Sequence, residues 1–312
     1  MKPTLKITLI ILSMFIVTQL IGLYVVNFYY PIKVVDGKQV KVEAPSLPLG
    51  LETPEVRTNW EFTQILISII ISFVIAILII FFLTKFKVTL IMRIWFLIVV
   101  TMALTVVFRT LIPLKYSTFI ALGIAVPLAI IKIFKRNFFV HNFTELFIYP
   151  GIAAIFVPIL NIWTVFIFLV LISIYDLWAV WKSGIMQKMA KFNINELKIF
   201  PGFFIPSFSK NQKMEIEKFK KMPKLKTKGK KMKVNIAILG GGDIFFPLVA
   251  AGVLLKTFGF VSSLFVVAGA VIGLGYLLLI GEKKKFYPAM PFITAGIFAM
   301  LLIFWLLKVF IF

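Results

Sequence analysis

Apolar residues fall along the chain in nine runs of about twenty, near 7–26, 63–84, 88–112, 116–134, 140–158, 161–182, 234–256, 259–280 and 287–311. A helix rising about 1.5 Å per residue needs about 20 residues to cross roughly 30 Å of hydrocarbon. Each run therefore predicts one transmembrane helix, and the whole chain an all-α polytopic membrane protein. Only Pro158 to Asn161 part the fifth run from the sixth, which predicts a tight helical hairpin; the fifth run carries Glu145, Tyr149, Pro150 and Gly151. In the first long connection, residues 27–60, the apolar Ile32, Val34, Val40 and Val42 alternate around Asp36-Gly37. That is the pattern of a small extracellular β-hairpin.

Composition agrees, since 61% of the 312 residues are hydrophobic, more than one soluble core requires. A net charge of +22 would suggest nucleic acid in a soluble chain, but here Lys and Arg sit between the apolar runs and near their ends. They read as determinants of topology, with membrane lipid and not nucleic acid as the surroundings. Lys2 and Lys6 precede a first run that is long and lacks a small-x-small cleavage pattern, so it reads as a retained span. Lys85, Lys87, Arg93, Lys132, Lys135, Arg136 and Lys283 to Lys285 share one side if the N-terminus lies inside, giving an N-in, C-out arrangement.

Residues 183–233 form the second long connection, between a 1–182 region of six spans and a 234–312 region of three. The connection combines an apolar patch (Ile199, Phe200, Phe203, Phe204, Ile205) with a Lys-dense tract from Lys210 to Lys233. It reads as a cytoplasmic loop against the inner leaflet, topogenic or facing anionic lipid, with a regulatory or partner site as the alternative. Gly269 and Gly273 make a GxxxG whose ordinary meaning is close helix packing.

The chain has no Cys and one His, His141, which excludes disulfides, thiolate metal sites, a cysteine nucleophile and a Ser-His pair. No metal or cofactor is expected, and the chemistry falls to carboxylates. Of three Asp residues, Asp176 in ILISIYDLWAV and Asp243 in ILGGGDIFFPLVAAG lie within apolar runs. A carboxylate at mid-membrane costs about 2.5–3.5 kcal/mol on insertion scales, so it normally faces a bundle interior or a water cavity. Asp176 lies six residues before Lys182 and Asp243 ten after Lys233, which on continuous helices sets them about 9 Å and about 15 Å from the same face. Two such carboxyls close together share a proton, one acting as general base and the other as general acid.

Gly240, Gly241 and Gly242 precede Asp243 and would let another backbone approach while loosening the helix. At the start of the last run, Pro288-Ala289-Met290-Pro291 denies a helix its first donors and leaves local backbone free to pair elsewhere. Glu145 and His141 read as interface residues near Lys135 and Arg136 and stay outside the expected site.

IYDLWAV, GGGD and PAMP, in the sixth, seventh and ninth runs, resemble the YD, GxGD and PAL signatures of the presenilin and signal peptide peptidase family of intramembrane aspartyl proteases. SIYDLWAV and the second proline of PAMP are most similar to archaeal presenilin homologues. The resemblance implies that Asp176 and Asp243 are the catalytic pair and that Tyr175 accompanies the first. It further implies that Gly240 and Gly242 are the motif glycines, with Gly241 between them, and that Pro288, Ala289 and Met290 help position substrate. Met290 stands where the family has Leu, a swap of similar volume that bears on substrate fit.

The resemblance also implies transmembrane helices as substrates, unwound so that an extended backbone pairs with strand-like segments near the seventh and ninth spans. Homo-oligomerisation stays open. The rival reading is a proton- or cation-coupled transporter, which also uses paired intramembrane acids and Gly or Pro interruptions, although the chain lacks two similar halves. A non-catalytic scaffold that holds helices is a third.

Overall fold

A computed structural model describes residues 5–35, 38–41, 45–54, 56, 58–86, 88–112, 116–135, 137–182, 199–207, 235–281 and 287–311. Nine long helices run through them: α1 (Leu5–Tyr29), α2 (Asn59–Lys85), α3 (Thr89–Thr110), α4 (Ser117–Ile130), α5 (Phe138–Phe156), α6 (Ile162–Leu177), α7 (Gly241–Phe258), α8 (Phe260–Ile280) and α9 (Met290–Ile311). All nine, three of them counted with the turns that extend them, are apolar and long enough to cross a membrane. Two antiparallel strand pairs accompany them, β1 (Ile32–Val35) with β2 (Lys38–Lys41), and β3 (Gly202–Ser207) with β4 (Asn235–Gly240).

α7 is the central helix, packed on α1, α5, α6 and α8, while α2 stands at the rim and turns Ile67, Ile71, Val74 and Leu78 outward. α1 reaches α7 closely because Gly22 leaves room for Leu248, whose methyls would meet any Cβ there. α8 and α9 approach still more tightly: a Cβ on Gly269 would run into the backbone of Gly296, and one on Gly273 into that of Phe292. The GxxxG is thus a packing seam, and it fixes where α9 begins.

The fifth and sixth spans form the tight hairpin expected. α5 runs into a single 3-10 turn, Val157–Ile159, and Asn161 starts α6 with a capping box in which it and Thr164 satisfy each other's backbone N–H. Lys256 of α7 donates to the carbonyls of Pro158 (3.2 Å) and Leu160 (3.3 Å), placing a cation where a helix end presents partial negative charge.

The β1–β2 pair falls where alternation placed a hairpin, in register Val34 with Gln39; its Asp36-Gly37 turn and Val42 lie outside the described residues, as does the Lys210 to Lys233 tract. Three expectations are corrected. The seventh apolar run does not begin as helix: Asn235–Gly240 is strand β4, and α7 starts only at Gly241. An unbroken apolar run fits a buried strand as well as a helix, and three successive glycines end the strand. Nor does the 199–205 patch lie flat on a leaflet, because Ile199, Phe203 and Ile205 are buried in the protein, the last two on β3. Lys132, read as a loop charge, is buried in the π-turn Ile131–Lys135 that extends α4.

The Gly273 seam makes a direct prediction. Gly273→Val should lower the unfolding midpoint in detergent by several degrees, since overpacking costs about 1–3 kcal/mol. Gly123→Ala, where a Cβ meets open space, should leave the midpoint unchanged or raise it; equal effects of the two changes would contradict the seam.

Candidate active site

Asp176 lies in the last turn of α6, is buried, and accepts a hydrogen bond at Oδ2 from the Met290 N–H, 3.1 Å away. Met290 is the first residue of α9, and the Ala289 N–H is directed at the same carboxyl. The N–H groups that PAMP withholds from α9 are therefore used on Asp176, at the partially positive end of a helix. One turn away the hydroxyls of Ser173 and Thr294 bond at 2.8 Å, so α6 and α9 are joined by two polar contacts in succession. Neither hydroxyl stands out in the sequence, although Ser173 precedes Asp176 by three residues and so shares its face.

Asp243 is the third residue of α7 and partly exposed. Its carboxyl folds back over Gly240, where a Cβ would stand 3.1 Å from Oδ2, and the Gly240 N–H is directed at it. This is the position that the N3 side chain takes in a capping box, again with a carboxyl at a helix N-terminus. The two carboxyls come within electrostatic reach of each other. The depth expected for Asp243 is corrected, because residues 235–240 rise as strand and not as helix.

The three glycines differ in what they make room for. Gly241 lies under the Tyr149 hydroxyl, which a Cβ would approach to 2.5 Å, whereas Gly242 is exposed and a Cβ there would meet only the Phe246 ring, at 3.3 Å. The packing requirement is thus severe at Gly241 and slight at Gly242, although the resemblance implies that Gly242 and not Gly241 is a motif glycine. Pro288, Ala289 and Met290 are buried beside Asp176. Tyr175 turns elsewhere: its ring meets Phe73 of α2 edge-on at 5.7 Å and Trp178 at 6.3 Å.

Sequence reasoning left out the residues around the β3–β4 sheet. Glu145 is buried and not interfacial; it pairs with Lys132, takes the Tyr149 hydroxyl and accepts from the Gly202 N–H at 3.2 Å. His141 donates from Nε2 to the Gly202 carbonyl at 2.8 Å. The signal available was the i,i+4 spacing of His141, Glu145 and Tyr149 on one helical face. Gln19 of α1, fully buried, also escaped notice; it donates to the Ile244 carbonyl at 3.0 Å, next to Asp243. Among the described residues no cluster of His, Asp or Glu could hold a metal ion.

The family model for signal-peptide peptidase, presenilin aspartyl protease matches residues 39–309. The chain belongs to this family. Two solved structures of a presenilin family intramembrane aspartate protease, in the C222 and P2 space groups, share its fold with TM-scores of 0.59 and 0.58. Each is 16% identical to it, over 95% of this chain and 97% or 96% of theirs. No curated protein matches. The chain is thus a multi-pass intramembrane aspartyl protease of the presenilin and signal-peptide peptidase family, a hydrolase acting on transmembrane substrates, and the transporter reading gives way.

The glycine geometry is open to test in this protease. Gly241→Ala should lower the unfolding midpoint by several degrees through the Tyr149 clash, while Gly242→Ala should hold it within about one degree. A midpoint lowered equally by both would refute the difference.

Proposed function

We propose that Asp176 and Asp243 are the catalytic pair that hydrolyses a peptide bond within a transmembrane helix. The observation that carries this reading is that two span-embedded carboxyls, far apart in sequence, sit at the N-termini of two neighbouring helices, near enough to interact electrostatically. One carboxylate takes a proton from water as its oxygen adds to the peptide carbonyl carbon. The other, protonated, delivers its proton to the developing oxyanion, and the pair returns a proton to the amine as the C–N bond breaks. No group outside this chain and water is needed for that balance.

The substrate segment is received at β4. Strand residues alternate the side to which they offer N–H and C=O; Gly202 and Phe204 turn theirs to α5, so Phe203, Ile205 and Ser207 face β4. Ile236, Ile238 and Gly240 then face the opposite side; there the Gly240 N–H is directed at Asp243, and no described residue pairs with the backbone of Ile236 or Ile238. That edge ends at the Gly240 N–H beside the Asp243 carboxyl, and Ile238 upon it is 42% exposed. An extended segment laid along this edge has its backbone led to Asp243. Pro288, Ala289 and Met290, buried beside Asp176, and Gly242, next to Asp243, are assigned to substrate fit, which Met290 in place of Leu tunes. The basic residues between spans favour the N-in, C-out orientation, which calls for substrate helices with their N-termini outside.

Asp176→Asn and Asp243→Asn should each cut cleavage of a reporter transmembrane peptide in detergent by at least about 10²–10⁴-fold. Persistent cleavage by either would remove the two-carboxylate mechanism. Ile238→Pro deletes one N–H from the outer edge of β4 without touching its bonds to β3. It should raise KM strongly at an unchanged unfolding midpoint; wild-type kinetics would mean that substrate pairs elsewhere.

A further inference from the structure

The outer edge of β3 is closed by side chains of a helix. Two residues of that edge, Gly202 and Phe204, offer four backbone groups, and α5 meets all four. His141 donates to the Gly202 carbonyl and Glu145 accepts from its N–H. Asn142 treats Phe204 as a neighbouring strand would, accepting from its N–H at 3.0 Å and donating to its carbonyl at 2.9 Å. A primary amide carries the donor and acceptor of a peptide group, so Asn142 can stand in for one.

The ion pair behind this arrangement is itself directional. A carbonyl only accepts, so Nε2 of His141 carries its hydrogen, which leaves Nδ1 as an acceptor for the Lys132 ammonium 3.2 Å away. Lys132 also pairs with Glu145, whose second oxygen takes both the Gly202 N–H and the Tyr149 hydroxyl. Tyr149 lies on Gly241, and the Gly241 N–H donates to the Pro201 carbonyl at 3.2 Å, one residue before β3. From Lys132 to the residue two before Asp243, each link is a direct contact.

We propose that Asn142 and Glu145, with His141, are positioning residues of the protease: they occupy the outer edge of β3 so that only β4 stays open to a substrate strand, and through Gly202, Tyr149 and Pro201 they set the turn that presents Asp243. This deepens the reading above, with Asp176 and Asp243 as the reacting pair. Two consequences separate the proposal from a merely structural role. Loss of the Asn142 amide frees β3 within an otherwise intact bundle, so substrate pairing weakens in molecules that remain folded. The duty of Glu145 is to accept hydrogen bonds, so a neutral acceptor suffices once the cation it pairs with is also removed.

The test uses the full chain in detergent with a reporter transmembrane peptide, kcat and KM being taken per folded molecule. Asn142→Leu, of similar size but without the amide, is expected to raise KM about tenfold, as loss of two hydrogen bonds would. Glu145→Gln strands the Lys132 cation beside an amide and is expected to lower kcat at least tenfold. Lys132→Met with Glu145→Gln should return kcat to within about threefold of the wild type, as the two partners act as a unit. Asn142→Leu and Glu145→Gln proteins that lose only folded fraction, with kcat and KM of the remainder unchanged, would overturn the proposal. So would a double variant as slow as Glu145→Gln alone. Asp243→Asn, assayed in parallel, separates the two failures: if it still cleaves, the catalytic pair is misassigned; if it is dead while the α5 variants behave as wild type, only the positioning role falls.

Discussion

Both aspartates occupy the same physical situation: each carboxyl closes the N-terminus of a membrane helix. Asp176 takes the first N–H of α9, and Asp243 lies in the first turn of α7 and reaches back to Gly240. In hydrocarbon an unpaired N–H costs several kcal/mol, and so does an unpaired carboxyl. Setting one against the other settles both, and the partial positive charge of the helix end adds to the match. The glycines before Asp243 and the prolines around Met290 then have a common reason, since each set starts a helix inside the protein and exposes its N–H groups to an acid.

The architecture follows from holding those two helix starts side by side. α9 is located by its glycine seam with α8 and by the Ser173–Thr294 contact with α6. α7 is located by α1, through Gly22 and Gln19, and by the sheet that precedes it. Because β3 and β4 are strands in an otherwise helical body, their edges must be paired from within. α5 supplies polar side chains for that purpose on the face that also carries Tyr149, an otherwise costly choice for a buried helix.

Spans and acids were legible in the sequence because both are written in composition: a run of twenty apolar residues has few other meanings, and a lone Asp inside one is expensive. The helical hairpin at Pro158 to Asn161 and the GxxxG seam were legible for the same local reason. What stayed hidden depends on pairing at a distance. Residues 235–240 look like the beginning of a span, and only their register with Gly202–Ser207 makes them a strand. Glu145 and Lys132 look like flanking charges because their partners, thirteen residues apart and on different elements, are not adjacent in any pattern. The weight on Gly241 is set by Tyr149, ninety-two positions earlier, and no spacing rule reaches that far.

The unequal treatment of the two sheet edges bears on how a protease can work in lipid at all. A substrate helix has every backbone group satisfied by its own turns, and opening it in hydrocarbon forfeits those bonds. Such a step is affordable only where the enzyme offers equivalent partners in the geometry of the opened chain. A strand edge does so, and a helix surface does not. In the proposed reading, closing the outer edge of β3 with α5 while the outer edge of β4 stays open directs that exchange to an edge that ends at a carboxyl, so the sheet that compensates the unwound substrate would also aim it.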